Sequence, residues 1–281
     1  MLTELTADQE MLRETTARFL AAEVPVDKIR GLRADAAGFD LDFWRRGAEL
    51  GWTSLLVSEA DGGGSVSGSA LADLCMIAHE FGARAAPGPL VATNVVAAAL
   101  SAAGEERFAP VLESLLSGAS VASWCHAEPS SQAGPRQVAL RCPAEGGDVV
   151  LNGVKRPVEA AGQADYLLVT GRAAEGLTQV LVPVDTAGVS TEPMRTIDLT
   201  RRFSVVRFNE VRLPASAVVG ELGGAAAQIE RQAQLAAVLG NAEAVGALQA
   251  AFDMTGRTRR ARRDPTAVCR GRARAGRAGS G

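Results

Sequence analysis

The period of the apolar residues changes at Ser120, and this change limits the chain to a helical part followed by a strand part. Before Ser120 the spacing is helical. Thr6 opens T-A-D-Q, with Gln9 three positions on, which predicts a capped helix start. Asp40 is placed to cap a helix carrying Phe43, Trp44 and Leu50, with Gly51 as its stop. Leu71, Leu74, Cys75, Ala78 and Phe81 follow i, i+3, i+4, i+7 spacing, and Gly82 is the expected stop. Two more helices are predicted, over about Thr93 to Ala103 and through Phe108, Val111, Leu112, Leu115 and Leu116.

After Ser120 the runs are short: Val138/Leu140, Val149 to Leu151, Tyr166 to Val169, Val180 to Val184 and Val205 to Val211. Gly146-Gly147 and Asn152-Gly153 read as turns. KRPVEAA reads as a loop, because Pro157 has no backbone donor and suits a central strand poorly. From Gly223 to about Thr255 the chain is alanine-rich and predicted helical, with Ile229, Ala233, Ala237 and Gly240 on one face. The expected fold is α+β and multi-domain. Residues 1–118 form an all-α domain, 119–221 an antiparallel β-domain, and 222–255 the first helix of an incomplete C-terminal helical domain.

Residues 256–281 form a basic low-complexity tail. Thr255 to Gly281 hold nine arginines and one aspartate, a net charge of +8, whereas the whole chain is at −3. The expectation is a frameshift or truncation point at Thr255 or Gly256, with a non-native tail beyond it. The tail lacks aromatics and helical pattern, which argues against nucleic-acid binding. Cys75, Cys125, Cys142 and Cys269 form no C-x-x-C pair and only two histidines exist, so no metal site is expected. No apolar run reaches the roughly 18 residues of a membrane span, and the acidic start does not resemble a signal peptide. The expected location is the cytoplasm. Gly62 to Gly64 lack a P-loop lysine and read as a flexible loop, and His79 as a surface or capping residue.

Five segments in order carry a family resemblance: LGWTSLLVSEADGGGS, HEFGARAAPGPL, SWCHAEPSSQAG, LNGVKRPVEAAGQADYLLV and DLTRRFSVVRFNEVRLPASAVVG. Together the chain resembles the acyl-CoA dehydrogenase family over about 250 of its 281 residues. The resemblance implies FAD, an acyl-CoA substrate, and a homo-oligomer or a heterotetramer with a related subunit. It also implies α,β-desaturation of the thioester, with the flavin as hydride acceptor and a glutamate as base. It places Trp124, Cys125, His126, Ala127, Ala133, Pro157, Val158 and Glu159 at the cofactor face, and Ala133 and Gln234 near the substrate.

The chain departs from the family at these positions. Ala127 and Ala133 stand where the family has hydroxyls, and Pro157, Val158 and Glu159 replace its Trp-Ile-Thr triplet. Glu159 would set a carboxylate near a flavin that becomes anionic on reduction, which is unfavourable. No catalytic residue is assigned. Ala236 falls where a minority of the family carry the base, and Glu230 and Glu243 read as solvated helix charges. His126 reads as a structural or pocket residue. Lys155 reads equally as a phosphate ligand or as the partner of an acid. Three functions follow: an acyl-CoA dehydrogenase-like oxidoreductase impaired on its own, a non-catalytic partner subunit of a heteromeric enzyme, and, more weakly, a nucleic-acid binder acting through its tail.

Overall fold

A computed structural model describes residues 4–32, 35, 37–129 and 137–263, with side chains through 256. Six helices come first: α1 (Ala7–Glu23), α2 (Val26–Gly31), α3 (Leu41–Glu49), α4 (Ala70–Arg84), α5 (Leu90–Ala103) and α6 (Ala109–Leu116). The caps read from the sequence are present. The Thr6 hydroxyl accepts from the Gln9 amide, and the Gln9 side chain accepts from the Thr6 amide. Asp40 accepts from the Asp42 amide at the start of α3. Phe19, Phe43, Trp44, Trp52 and Phe81 interlock at ring separations of 4.8–6.4 Å. Their buried aromatic area anchors the helices, because each such side chain removes a large apolar surface from water.

Eight strands follow: β1 (Ala122–Cys125), β2 (Ala144–Glu145), β3 (Asp148–Glu159), β4 (Tyr166–Arg172), β5 (Leu177–Pro183), β6 (Val189–Pro193), β7 (Phe203–Pro214) and β8 (Val218–Val219). They form two four-stranded sheets, ordered β1-β4-β5-β8 and β2-β3-β7-β6. The sheets are not wholly antiparallel, since β1 pairs with β4 in parallel. The chain leaves β1, builds the β2-β3 hairpin in the other sheet, and only then returns, so the two strands run the same way. Gly146-Gly147 turns the β2-β3 hairpin as expected, with φ of +61° and +95°.

Two expected breaks lie inside β3. Asn152-Gly153 is a register shift rather than a turn: Gly153 has φ +149°, and the Asn152 side chain exchanges hydrogen bonds with Glu210. Pro157 is a strand residue rather than a loop residue. It follows a cis bond from Arg156 and sits in a second register shift, where the missing donor is tolerated.

The last helix, α7, runs from Ala226 to Arg263, past the boundary expected near Thr255. Residues 264–281, with Cys269, lie outside the described residues. Its buried face is Ile229, Gln232, Leu235 and Leu239, whereas Ala237 of the expected face is exposed. Buried Gln232, bonded to Gln179 of β5 at 2.6 Å, sets this orientation. Among the described residues, α7 is the one helix long and apolar enough to cross a bilayer, although polar residues interrupt every run along it.

Gly82 does not stop α4. The helix continues to Arg84 and ends at Ala85, whose φ is +49°. The glycine is needed because a Cβ there would fall 1.8 Å from the Glu243 carbonyl of α7. Gly246 plays the reciprocal part, where a Cβ would fall 1.9 Å from the His79 carbonyl. Two bare backbone patches thus let α4 and α7 touch.

Candidate functional site

The two segments named for the cofactor face meet in space. Leaving β1, the Ala127 carbonyl accepts from the Arg156 amide at 2.7 Å. The Ser123 hydroxyl donates to the Glu159 carbonyl at 2.6 Å. Trp124, Cys125, His126 and Ala127 are therefore laid beside Pro157, Val158 and Glu159. Cys125 and Val158 point inward and are buried, while Pro157 is exposed. Ala133 lies outside the described residues, and Gln234 is exposed on α7.

Trp124 is held by a bond from its indole N–H to the Thr170 hydroxyl at 3.2 Å. Gln179 of β5 also donates to that hydroxyl. The His126 ring stacks on Trp124 at 4.6 Å. Burial, and then the nearby Lys155 charge, push the His126 pKa down to about 4, so the ring is neutral at physiological pH. Burial raises the Cys125 thiol to about 12 and the Cys142 thiol to about 11, which leaves both unreactive.

Lys155 is fully buried. Its ammonium donates to Glu128 at 2.7 Å and to the His126 carbonyl at 3.0 Å. Glu128 also accepts from the Ala139 and Leu140 amides at 2.8 and 2.9 Å. Lys155 is thus the partner of an acid. Burial opposes the Glu128 charge, but the bonds from Lys155 and the two amides outweigh it and lower its pKa. The same burial lowers the pKa of Lys155.

A different charge group sits at the end of β3. Ala160, with φ +57°, turns the chain there and donates its N–H to the Arg202 carbonyl at 2.7 Å. Glu159 pairs with Arg201 at 3.6 Å, and Arg201 also pairs with Glu243 of α7. Glu243 is therefore not a solvated helix charge; its side chain is only 15% exposed. Burial raises the Glu159 pKa, Arg201 counters that, and Asp198 adds to it.

The loop carrying Arg201 is built by Asp198, which accepts from the Thr200 amide, the Thr200 hydroxyl and the Arg201 amide at 2.7, 2.8 and 3.3 Å. Arg202 anchors it to the Leu32 and Asp35 carbonyls at 2.5 and 3.0 Å. Arg201 and Glu243 line a cavity of about 680 Å³ between α4, α7 and this loop. Sequence reasoning missed Arg201 and Asp198. The signal available was the D-L-T-R-R run, whose acid and arginines are crowded just before a strand.

The glycine-rich segment is a packed turn and not a phosphate cradle. A Cβ on Gly63 would fall 2.4 Å from the Val57 carbonyl. The turn is closed by buried Asp73, which accepts from Gln9, Ser65, Ser67 and the Val66 and Ser67 amides at 2.6–3.1 Å. His79 is partly exposed and lines a second cavity, of about 450 Å³, with Arg13, Cys75 and Val245.

The family model for the acyl-CoA dehydrogenase N-terminal domain matches residues 6–118. Acyl-CoA dehydrogenase FadE12 of Mycobacterium tuberculosis is 27% identical over 256 residues, which cover 85% of this chain and 63% of that protein. The chain is similar to acyl-CoA dehydrogenases over most of its length, and over residues 6–118 it matches their N-terminal domain. It spans less than two thirds of the FadE12 length.

Over most of the chain the fold matches that of solved acyl-CoA dehydrogenases. The glutaryl-CoA dehydrogenase of Mycobacterium smegmatis, solved with FADH2, superposes with a TM-score of 0.72 at 21% identity, covering 84% of this chain and 62% of that one. The ChsE4-ChsE5 complex of Mycobacterium tuberculosis superposes with a TM-score of 0.72 at 22% identity, covering 84% and 62%.

The Mycobacterium smegmatis enzyme holds FADH2, and the side chains at the face expected for a flavin in this chain fit its ring poorly. Ring heteroatoms that accept hydrogen bonds need donors. The Ala127 side chain is a methyl group that leaves only the main-chain N–H to donate, Pro157 has no N–H, and the Glu159 carboxylate offers acceptor oxygens, one of them paired with Arg201.

Proposed function

We propose that this chain is an acyl-CoA-binding subunit of an acyl-CoA dehydrogenase assembly, in which a related subunit carries the flavin and performs the α,β-desaturation. One observation carries this reading. Arg201 engages both carboxylates at the inner end of the site, Glu159 of β3 and Glu243 of α7. Each carboxylate already has an oxygen engaged by the guanidinium, so neither is a free base in this arrangement. Ala236, at the alternative base position, has no titratable group. The ChsE4-ChsE5 structure is a complex of two differently named chains, and a chain of it matches this fold, which supports a heteromeric arrangement.

The test is co-expression with a complete family member. The expected result is co-purification, together with a flavin absorbance band that is absent from this chain alone. A stoichiometric flavin band in the chain purified alone would overturn the reading.

A second reading, independent FAD-dependent desaturation, is favoured by the ion pair that offsets the Glu159 charge. Bleaching of a bound flavin when an acyl-CoA is added to the chain alone would establish it.

A further inference from the structure

We infer that the cavity between α4, α7 and the loop before β7 takes an acyl group whose far end is neutral or cationic, and that it rejects acyl groups ending in a carboxylate. This rests on the acyl-CoA-binding reading above and narrows it to a substrate class. The cavity, at about 680 Å³, lies within the range of small-molecule sites. Its apolar wall combines Phe81 and Phe203 with the small residues Gly82, Ala86, Gly240 and Ala244. Small side chains leave room, and two phenyl rings supply apolar contact, so the body of the ligand is a bulky apolar group.

The polar end of the cavity decides the sign. Its wall carries Arg201, Glu243 and Asp198, and Glu159 backs Arg201 from the end of β3. Among the described residues, the lining itself holds one guanidinium and two carboxylates, while Glu159 lies behind Arg201 and the Arg202 guanidinium is taken up by main-chain carbonyls of Leu32, Asp35, Leu199 and Arg201. Arg201 is not available to an incoming anion, because Glu159 and Glu243 already hold it. A ligand carboxylate entering here would displace one of these partners and meet the remaining negative charge in a partly desolvated space. An ammonium, hydroxyl or amide would instead donate to carboxylate oxygens that have acceptor capacity left.

The test is equilibrium binding of hexanoyl-CoA, its ω-amino derivative and its ω-carboxy derivative to the full chain, read by calorimetry. The ω-carboxy thioester is expected to bind about tenfold or more weakly than hexanoyl-CoA, and the ω-amino thioester at least as tightly. Glu243→Gln and, separately, Glu159→Gln should each narrow the ω-carboxy deficit by about threefold or more, with unchanged circular dichroism. Equal binding of all three thioesters overturns the inference while leaving the acyl-CoA reading intact. So does a deficit that neither substitution changes. Failure of every thioester to bind overturns the acyl-CoA reading itself.

Discussion

The two buried charge groups differ in how they are closed. Lys155–Glu128 is a sealed pair, with side chains 0% and 6% exposed, and main-chain groups take up the capacity left over. Arg201 with Glu159 and Glu243 is 15–28% exposed, opens onto a cavity through Arg201 and Glu243, and holds two carboxylates on one guanidinium. A sealed pair orders the chain around it, here the exit of β1 against β3. An open group with surplus charge can still respond to a ligand or a proton. The chemistry of the side chains is similar in both; their enclosure separates a structural role from a recognition role.

Breaking the sealed pair should have the largest effect. Lys155→Ala leaves Glu128 buried without its cation, and about 3–5 kcal/mol of stability is expected to be lost in urea unfolding. A loss below about 1 kcal/mol would mean that the pair is not sealed.

The same contrast between packed and open applies to two glycines. Gly82→Ala drives a Cβ into the α7 backbone and should cost about 1–3 kcal/mol. Gly240→Ala on the cavity side has nothing within 4 Å and should stabilise α7 by about 0.5–1 kcal/mol. Thermal melts of both variants decide this, and equal effects would contradict the close crossing.

The two groups should also respond oppositely to acid. Glu128 has a lowered folded pKa, so its contribution is present above the unfolded carboxylate range and is lost as pH falls through the folded value. Glu159 has a raised folded pKa, so its charged form weakens the fold above that value, and the cost disappears as pH falls. Melting temperature against pH, for the parent and for Glu159→Gln, should therefore converge on acidification, with the variant ahead at neutral pH. A variant that melts lower at neutral pH would show the ion pair outweighing the burial.

The smallest effect is expected at the solvent-exposed pair Arg18–Glu14, with side chains 71% and 62% exposed. Glu14→Ala should change stability by no more than about 0.5 kcal/mol in chemical denaturation.

Local signals were legible in the chain. Thr6 with Gln9, Asp40 and Gly146-Gly147 each act over two to three residues, and each produced the expected cap or turn. The order of helices, strands and helix was legible because periodicity is also local. Signals read wrongly were those that a distant neighbour reassigns. Gly82 resembles a helix stop and serves as a helix crossing. Asn152-Gly153 resembles a turn, yet pairing with β7 absorbs it as a bulge. Pro157 resembles a loop residue, yet β7 tolerates it at a register shift.

The same division governs the site. By itself the sequence determined that the side chains of Ala127, Pro157 and Glu159 carry no hydrogen-bond donor when Glu159 is ionised, because composition at a position needs no geometry. Only the tertiary structure decided that Lys155 is sealed against Glu128, that Glu243 leaves the solvent, and that Arg201 is shared between β3 and α7. These charges lie far apart along the chain. Their pairing depends on burial and close approach, which exist only once the sheets and helices have packed.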